Sequence, residues 1–293
     1  MGRVAYVNGR YVPHGWASVH IEDRGYQFAD GVYEVIAIQD GRLIDEEPHL
    51  DRLGRSLDAL AIRWPMSRAA LRHVLREVIR RNRLSGRRCG PGAAYLQVTR
   101  GIAARNHAFP ASADPVLVMT ARAMPPFDPE AARRGVSVIT LPDERWRRPD
   151  IKSISLLPNV LAKQAAVEAG AYEAWLVDDA GQVTEGTASN AWIVTADGEL
   201  VTREADRSIL SGITRATVMR LAREHGLRIG ERRFAVGEAK AAAEAFVTGT
   251  TSWVKPVVRI DDVPVGSGRI GPLSDRLLAW YAEYVETGGR GAA

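Results

Sequence analysis

Lysine is scarce in this chain, a compositional bias that gives each survivor some weight as a candidate amine nucleophile. Of 39 basic side chains in 293 residues, four are lysine: Lys152, Lys163, Lys240 and Lys255. Arginine can replace lysine where bare charge is enough, but it cannot supply a nucleophilic amine. Lys163, in Leu161-Ala-Lys-Gln-Ala-Ala, and Lys240 read as positions on alanine-rich helices, and Lys255 precedes Pro256 in a strand-like run. Lys152 differs. It stands in Pro149-Asp-Ile-Lys-Ser-Ile-Ser-Leu-Leu-Pro, after a strand-like segment and before an apolar stretch. That setting points its amine into a dry cleft, where desolvation lowers a lysine's pKa and makes the amine nucleophilic.

Two further groups suit such an amine. In Val183-Thr-Glu-Gly-Thr-Ala-Ser-Asn, Glu185 ends a strand before a tight turn of small residues. Most glutamates so placed are surface residues of a polar hairpin. The chemical alternative is a carboxylate that keeps a cofactor's ring nitrogen protonated. Gly212-Ile-Thr-Arg opens a helix whose free backbone N–H groups form an anion site. Thr248-Gly-Thr-Thr-Ser adds small hydroxyl residues at a strand end, and Arg52 adds charge. Each is weak alone, since Gly-Ile-Thr-Arg also describes an ordinary helix start. No P-loop argues for a nucleoside triphosphate. The six histidines lack metal-ligand spacing, and there is no Gly-x-Ser-x-Gly elbow.

The elements that must position these groups read as α+β. Val4–Val12 is a hairpin about Asn8-Gly9, a strong turn signal. Val32–Ile38 alternates like a strand and turns at Asp40-Gly41. From His49 the period changes, with Leu50, Leu53, Leu57 and Leu60 on one helical face. Ser67 caps a second helix running to about Asn82, and Ala94–Thr99 and Pro115–Ala121 are strands. Three prolines in Ala123-Met-Pro-Pro-Phe-Asp-Pro mark a linker, because proline blocks both helix interiors and central strands. Beyond it come a strand at Val136–Leu141, a helix at about Asn159–Ala169, a helix at Ile209–His225, a strand at Ala245–Thr248 and a helix at Leu273–Glu286. The expected division is an N-terminal α+β domain over 1–122, a linker over 123–134 and a C-terminal domain over 135–293. The Gly-rich end, Gly288–Ala293, is expected to fray.

Composition bounds the partners. A chain of this length buries a core without disulfides, and Cys89 is its single cysteine. A net charge of +4 comes from arginines scattered among acids, a pattern of solvated helix faces that speaks against nucleic acid and suits small anionic substrates. There is no membrane-length apolar run and no apolar signal core, so a cytoplasmic location is expected.

Taken in order, the motifs resemble the fold-type IV enzymes that use pyridoxal 5'-phosphate (PLP), and most closely the D-amino-acid aminotransferases of the class IV family. The matching segments are Glu22-Asp-Arg-Gly-Tyr-Gln-Phe-Ala-Asp-Gly-Val-Tyr-Glu-Val, His49-Leu-Asp-Arg-Leu, Gln97-Val-Thr-Arg-Gly and Arg105-Asn-His-Ala-Phe-Pro. They continue with Asp150-Ile-Lys-Ser, Asn159-Val-Leu-Ala-Lys-Gln, Thr184-Glu-Gly and Gly212-Ile-Thr-Arg. The resemblance spans about residues 4 to 260. It implies a sandwich-like N-terminal domain, a pseudo-barrel C-terminal domain, and PLP in the cleft between them. It makes Lys152 the Schiff-base lysine and Glu185 the ring-nitrogen carboxylate. Arg52, Ile213, Thr214 and Thr250 become the phosphate cradle. Tyr33, Arg105 and His107 become the trap for the substrate α-carboxylate, the last two reaching in from the neighbouring subunit of a homodimer. The implied reaction moves an amino group from a D-amino acid to a 2-oxo acid such as 2-oxoglutarate. Two departures stand out: Gly249 where a serine is familiar, and Val160 where branched-chain relatives carry tyrosine. Other readings of the same fold are branched-chain L-amino acid or (R)-amine transamination and aminodeoxychorismate lysis. A non-catalytic PLP-binding protein is the reading from another class, and retention of both Lys152 and Glu185 argues against it.

Overall fold

The computed structural model describes residues 2–86 and 89–288. Most of the Gly-rich end therefore lies outside the described residues. The chain divides into two compact units, one of residues 1–127 with 151–155 and the other of residues 128–150 with 156–293.

The first unit grows from the Asn8-Gly9 turn. Both turn residues have positive φ, which sets the twist that pairs β1 (Val4–Val7) with β2 (Arg10–Pro13). A short helix, α1 (Arg24–Phe28), leads into β3 (Gly31–Gln39) and β4 (Arg42–Leu43). Helices α2 (Glu46–Ala59) and α3 (Arg68–Arg81) follow, then β5 (Pro91–Thr99) and β6 (Val116–Ala123). Among the described residues the strands form one six-stranded sheet in the order β2-β1-β6-β5-β3-β4, with every pairing antiparallel. Leu50, Leu53 and Leu57 of α2 and Leu71, Leu75, Val78 and Ile79 of α3 share a buried cluster with Val32, Ile36, Ile38, Leu96, Val98 and Met119. The helices thus cover one face of the sheet. Ser67 caps α3 as expected, its hydroxyl accepting the Ala70 N–H at 3.3 Å.

The inward row of β3 contains one residue that an apolar face does not predict. Strand alternation places Val32, Glu34, Ile36 and Ile38 on the same side, and all four are buried. A second feature is at the start of that strand. β4 pairs only with Ile38 and Gln39, so Gly31–Tyr33 would present an open edge. Residues 151–155 fill it: the Tyr33 N–H donates to the Lys152 carbonyl at 3.0 Å and the Ile154 N–H donates to the Gly31 carbonyl at 3.0 Å. Lys152 therefore packs with the first unit, although the expected boundaries put it in the C-terminal domain.

The second unit begins inside the expected linker. Asp128 caps α4 (Pro129–Arg133) by accepting the Ala131 N–H. Pro129 is tolerated there because the first-turn N–H has no helical partner to lose. Then come β7 (Val136–Pro142), α5 (Leu157–Glu168), β8 (Glu173–Val177), β9 (Val183–Gly186), β10 (Asn190–Val194) and β11 (Leu200–Thr202). The chain finishes with α6 (Ile213–Glu224), β12 (Ile229–Glu231), α7 (Val236–Ala241), β13 (Glu244–Gly249), β14 (Trp253–Ile260), β15 (Val263–Pro264) and α8 (Pro272–Glu286). The strands order as β12-β11-β10-β13-β14-β7-β8-β9, with β15 added to β14.

Connectivity shows that this sheet curls. β9 and β10 are joined through residues 187–189, yet β13, β14, β7 and β8 stand between them in the ladder. In a flat sheet that separation is about 24 Å, five strand spacings. The connecting chain spans at most ~15 Å. The sheet must therefore bend back on itself, which is the pseudo-barrel, closed around Val138, Trp175, Val183, Ile193, Phe234, Val247 and Val257. One helix is shorter than expected: α6 begins at Ile213 rather than Ile209. Residues 209–212 stay outside the helix because Leu210 is used elsewhere, by Glu185 and Asn190.

Candidate active site

In the first unit Lys152 lies beside the strand that carries Tyr33. Its Nζ is 4.4 Å from the centre of the Tyr33 ring, and its backbone N–H donates to Ser56 Oγ of α2 at 3.2 Å. The Tyr33 ring stacks on Tyr95 at 5.8 Å. Burial raises the Tyr95 hydroxyl to about 12, so it stays a neutral neighbour.

On the other face of β3, Glu34 gathers two side chains that α2 presents three residues apart. Arg52 donates from Nε at 2.7 Å and from Nη2 at 2.8 Å, and His49 Nδ1 lies 2.7 Å away. All three are buried. Burial alone would raise the carboxyl of Glu34, but Arg52 and then His49 outweigh it and hold it near 2. Burial lowers the His49 imidazole, with Glu34 pulling the other way. Arg52, expected at a phosphate, is thus already oriented by a bidentate carboxylate. Its place in the His-Leu-Asp-Arg segment was legible, while Glu34 and His49 were missed. The signal for Glu34 was an acid on the inward row of an alternating strand.

Arg105 and His107 lie on the connection between β5 and β6, and both are exposed. That loop has its own anchors: Arg24, in α1, is buried and donates to the carbonyls of residues 106–108.

In the second unit Glu185 is 5% exposed at the end of β9. It forms an ion pair with Arg145 Nη1, accepts Asn190 Nδ2 at 3.0 Å and accepts the Leu210 N–H at 3.1 Å. Arg145 is also gripped by Asp143 through Nε at 2.8 Å and Nη2 at 2.7 Å. Burial raises the Glu185 carboxyl, and Arg145 opposes that rise without cancelling it. Asp143 goes the other way, because its bonds with Arg145 outweigh its burial. Arg145 was missed: Asp143-Glu-Arg reads as surface charge until the fold brings it to Glu185.

Gly212 is the N-cap of α6, and no side chain caps that helix end. The N–H groups of Ile213 and Thr214 thus lie in the first turn, where helix geometry supplies no partner. A Cβ at 212 would press on Asn190 Oδ1, so a larger residue there requires the Asn190 side chain to shift. Thr250 is in the turn between β13 and β14. At Gly249, which replaces the familiar serine, an added Cβ would stand 2.7 Å from the Ser252 hydroxyl. Among the described residues no cluster of His, Cys, Asp or Glu could hold a metal ion, and no helix is long and apolar enough to cross a membrane.

Comparison with known proteins gives these features a context. Residues 31–260 match the family described as amino-transferase class IV. The chain is 45% identical to a D-alanine aminotransferase of Bacillus licheniformis over 91% of this chain and 92% of that one. It is 39% identical to a D-alanine aminotransferase of Listeria monocytogenes, covering 95% of each. Among solved structures, the T.th. branched-chain amino acid aminotransferase complexed with N-(5'-phosphopyridoxyl)-L-glutamate aligns with a TM-score of 0.87 at 28% identity, over 99% of this chain and 96% of that one. The branched-chain aminotransferase of Escherichia coli aligns at 0.89 with 24% identity, over 99% and 97%, a likeness of fold alone. The chain belongs to the class IV aminotransferases. It is a PLP-dependent transaminase of fold type IV.

Proposed function

We propose that this enzyme transfers the amino group of a D-amino acid to a 2-oxo acid such as 2-oxoglutarate, releasing a 2-oxo acid and a D-amino acid such as D-glutamate. The observation that carries this reading is the kinship with D-alanine aminotransferases along nearly the whole chain. The residues present fit PLP. Glu185 is a buried carboxyl raised by its surroundings, suited to share a proton with a pyridine nitrogen. The uncapped end of α6, opened by a glycine packed against Asn190, suits a phosphate. In this reading Lys152 binds the cofactor aldehyde, Glu185 holds the ring nitrogen protonated, and Arg52, Ile213, Thr214 and Thr250 hold the phosphate. When bound, PLP supplies an electron sink for the substrate's α-carbon.

Once the incoming amine displaces it, the freed Lys152 amine would take the proton from the substrate Cα and later return it. Tyr33, Arg105 and His107 hold the α-carboxylate, so that the Cα–H bond of a D-amino acid faces Lys152. Exchanging the carboxylate and side-chain positions would present the other enantiomer. We assign Arg105 and His107 to the neighbouring protomer's site in a homodimer. Both are exposed, and the same region exposes Ile21 (75%), Tyr26 (76%) and Phe109 (63%), apolar surface that a partner would cover. A cytoplasmic location belongs to the same proposal.

Likeness to branched-chain aminotransferase structures favours one rival, transamination of L-branched-chain substrates. A donor panel of D-alanine, D-glutamate, L-leucine and an (R)-amine with 2-oxoglutarate distinguishes them. The proposal expects 2-oxo acid release from the D-amino acids. Faster turnover of L-leucine or the amine would replace it.

A further inference from the structure

The loop that presents Arg105 and His107 is fastened by a lock buried in its own chain. Arg24 spreads its guanidinium across the loop: Nη1 donates to the Asn106 carbonyl at 2.5 Å and the Ala108 carbonyl at 3.4 Å, and Nη2 to the His107 carbonyl at 3.3 Å. Its remaining edge is held by Asp30, which accepts Nε at 2.8 Å. Asp30 also takes both forks of Arg100, at 2.7 and 2.9 Å, and Arg100 donates on to the carbonyls of Ala61 and Leu60. Asp30 is returned to Arg24 by a left-handed residue, Ala29 (φ 57°), at the end of α1. Burial would raise the Asp30 carboxyl, but Arg100 and Arg24 lower it, so the carboxylate stays charged. The backbone is tied as well, with the Arg24 N–H donating to the Gly101 carbonyl at 2.9 Å.

One ring completes the lock. Phe28, in the same short helix, lies 4.9 Å from the Arg24 guanidinium, 4.6 Å from that of Arg105 and 5.3 Å from the His107 imidazole. The groups assigned to the substrate carboxylate thus rest on a surface fixed by Arg24 and Asp30. Two buried arginines share the Asp30 carboxylate.

We infer that Arg24, clamped by Asp30 and backed by Phe28, is a positioning residue that sets the pose of the Arg105/His107 pair and thereby the affinity for the substrate α-carboxylate. The inference rests on the proposal that this pair is the carboxylate trap. Lysine cannot replace Arg24, because a single ammonium cannot span three carbonyls and a carboxylate at once.

The test compares Arg24→Lys, Asp30→Asn, Phe28→Leu and Arg105→Ala holoenzymes. Three quantities are read: KM and kcat for D-alanine, the inhibition constant of propionate, and the PLP dissociation constant from the cofactor's absorbance. Arg24→Lys and Asp30→Asn should raise both KM and the propionate constant about ten-fold, corresponding to roughly 1.4 kcal/mol. The PLP constant should stay at the wild-type value, and kcat should change far less than KM. If Arg105→Ala weakens propionate while folded Arg24→Lys and Asp30→Asn do not, the lock is overturned and the trap stands. If Arg105→Ala leaves propionate and KM unchanged, the trap reading falls and the inference falls with it. Should Arg24→Lys and Asp30→Asn fail to fold, Phe28→Leu decides. It leaves the ion pairs in place, so weaker propionate binding supports the lock and unchanged binding refutes it.

Discussion

Glu185 and Glu34 are both buried and both paired with an arginine, yet their surroundings drive them in opposite directions. Arg52 gives Glu34 two hydrogen bonds and His49 a third contact, so the carboxylate is held far below its ordinary range. Glu185 must share Arg145 with Asp143, and its burial prevails, leaving a carboxyl raised above its ordinary range. The first is a fixed charge and the second a group ready to share a proton. Glu185→Gln should therefore fold and bind PLP but slow transamination about 10²-fold, the scale for losing one preorganised electrostatic group. Single-turnover kinetics with D-alanine checks it, and unimpaired turnover would remove the proton-holding role. Lys152→Ala should cost at least about 10²–10⁴ in rate, since base and anchor are lost together. Borohydride reduction and peptide mapping should find the cofactor on Lys152; an adduct on Lys163, Lys240 or Lys255 would refute the assignment. Residue type and local setting single out Lys152 and Glu185 as candidates, and their roles come from the family resemblance. Arg145 was hidden, because nothing in Asp143-Glu-Arg tells a buried guanidinium from a solvated one.

At the scale of elements, β3 joins stability to the site. Its outward residue Tyr33 meets Lys152 and its inward residue Glu34 meets α2. Because the folded pKa of Glu34 is depressed to about 2 from 4.5, the stability it contributes is complete above pH 4.5 and is lost as pH falls toward 2. Glu34→Gln, which leaves Arg52 buried without its carboxylate, should cost about 3–5 kcal/mol at neutral pH. Urea melts of wild type and variant should converge as the buffer is taken from pH 7 down through that window. A gap that persists unchanged at pH 3 would contradict the linkage. The hydrophobic periods of α2 and α3 and the Ser67 cap made these helices legible, since each depends on neighbours in sequence. The missing pieces were set by distant partners. α6 starts late because Leu210 is engaged by Glu185, and α4 forms within a proline-rich stretch because Pro129 falls in a first turn. Residues 151–155 join the first unit because β4 is too short to cover the edge of β3.

At the scale of the molecule, the curl of the second sheet follows from a ladder order that no local pattern reveals. The sequence showed strands and turns but not which strands were neighbours; the pseudo-barrel was implied by resemblance. The same holds for the proposed assembly, in which the exposed Arg105 and His107 would serve a second copy. If the pair serves the neighbouring protomer, mixing Lys152→Ala with Arg105→Ala protein under subunit exchange should restore activity absent from either parent, because each hybrid dimer holds one intact site. No recovery despite proven exchange would place the pair in its own chain's site. The central claim is that Lys152 works on the face of the substrate from which a D-amino acid presents its Cα–H bond. The most direct measurement is proton exchange: holoenzyme is incubated with each enantiomer of alanine in D₂O, without acceptor, and the α-proton signal is followed by NMR. The account predicts rapid loss of the signal from D-alanine, negligible loss from L-alanine, and neither with Lys152→Ala. Exchange of L-alanine at a rate equal to or above that of D-alanine would contradict it.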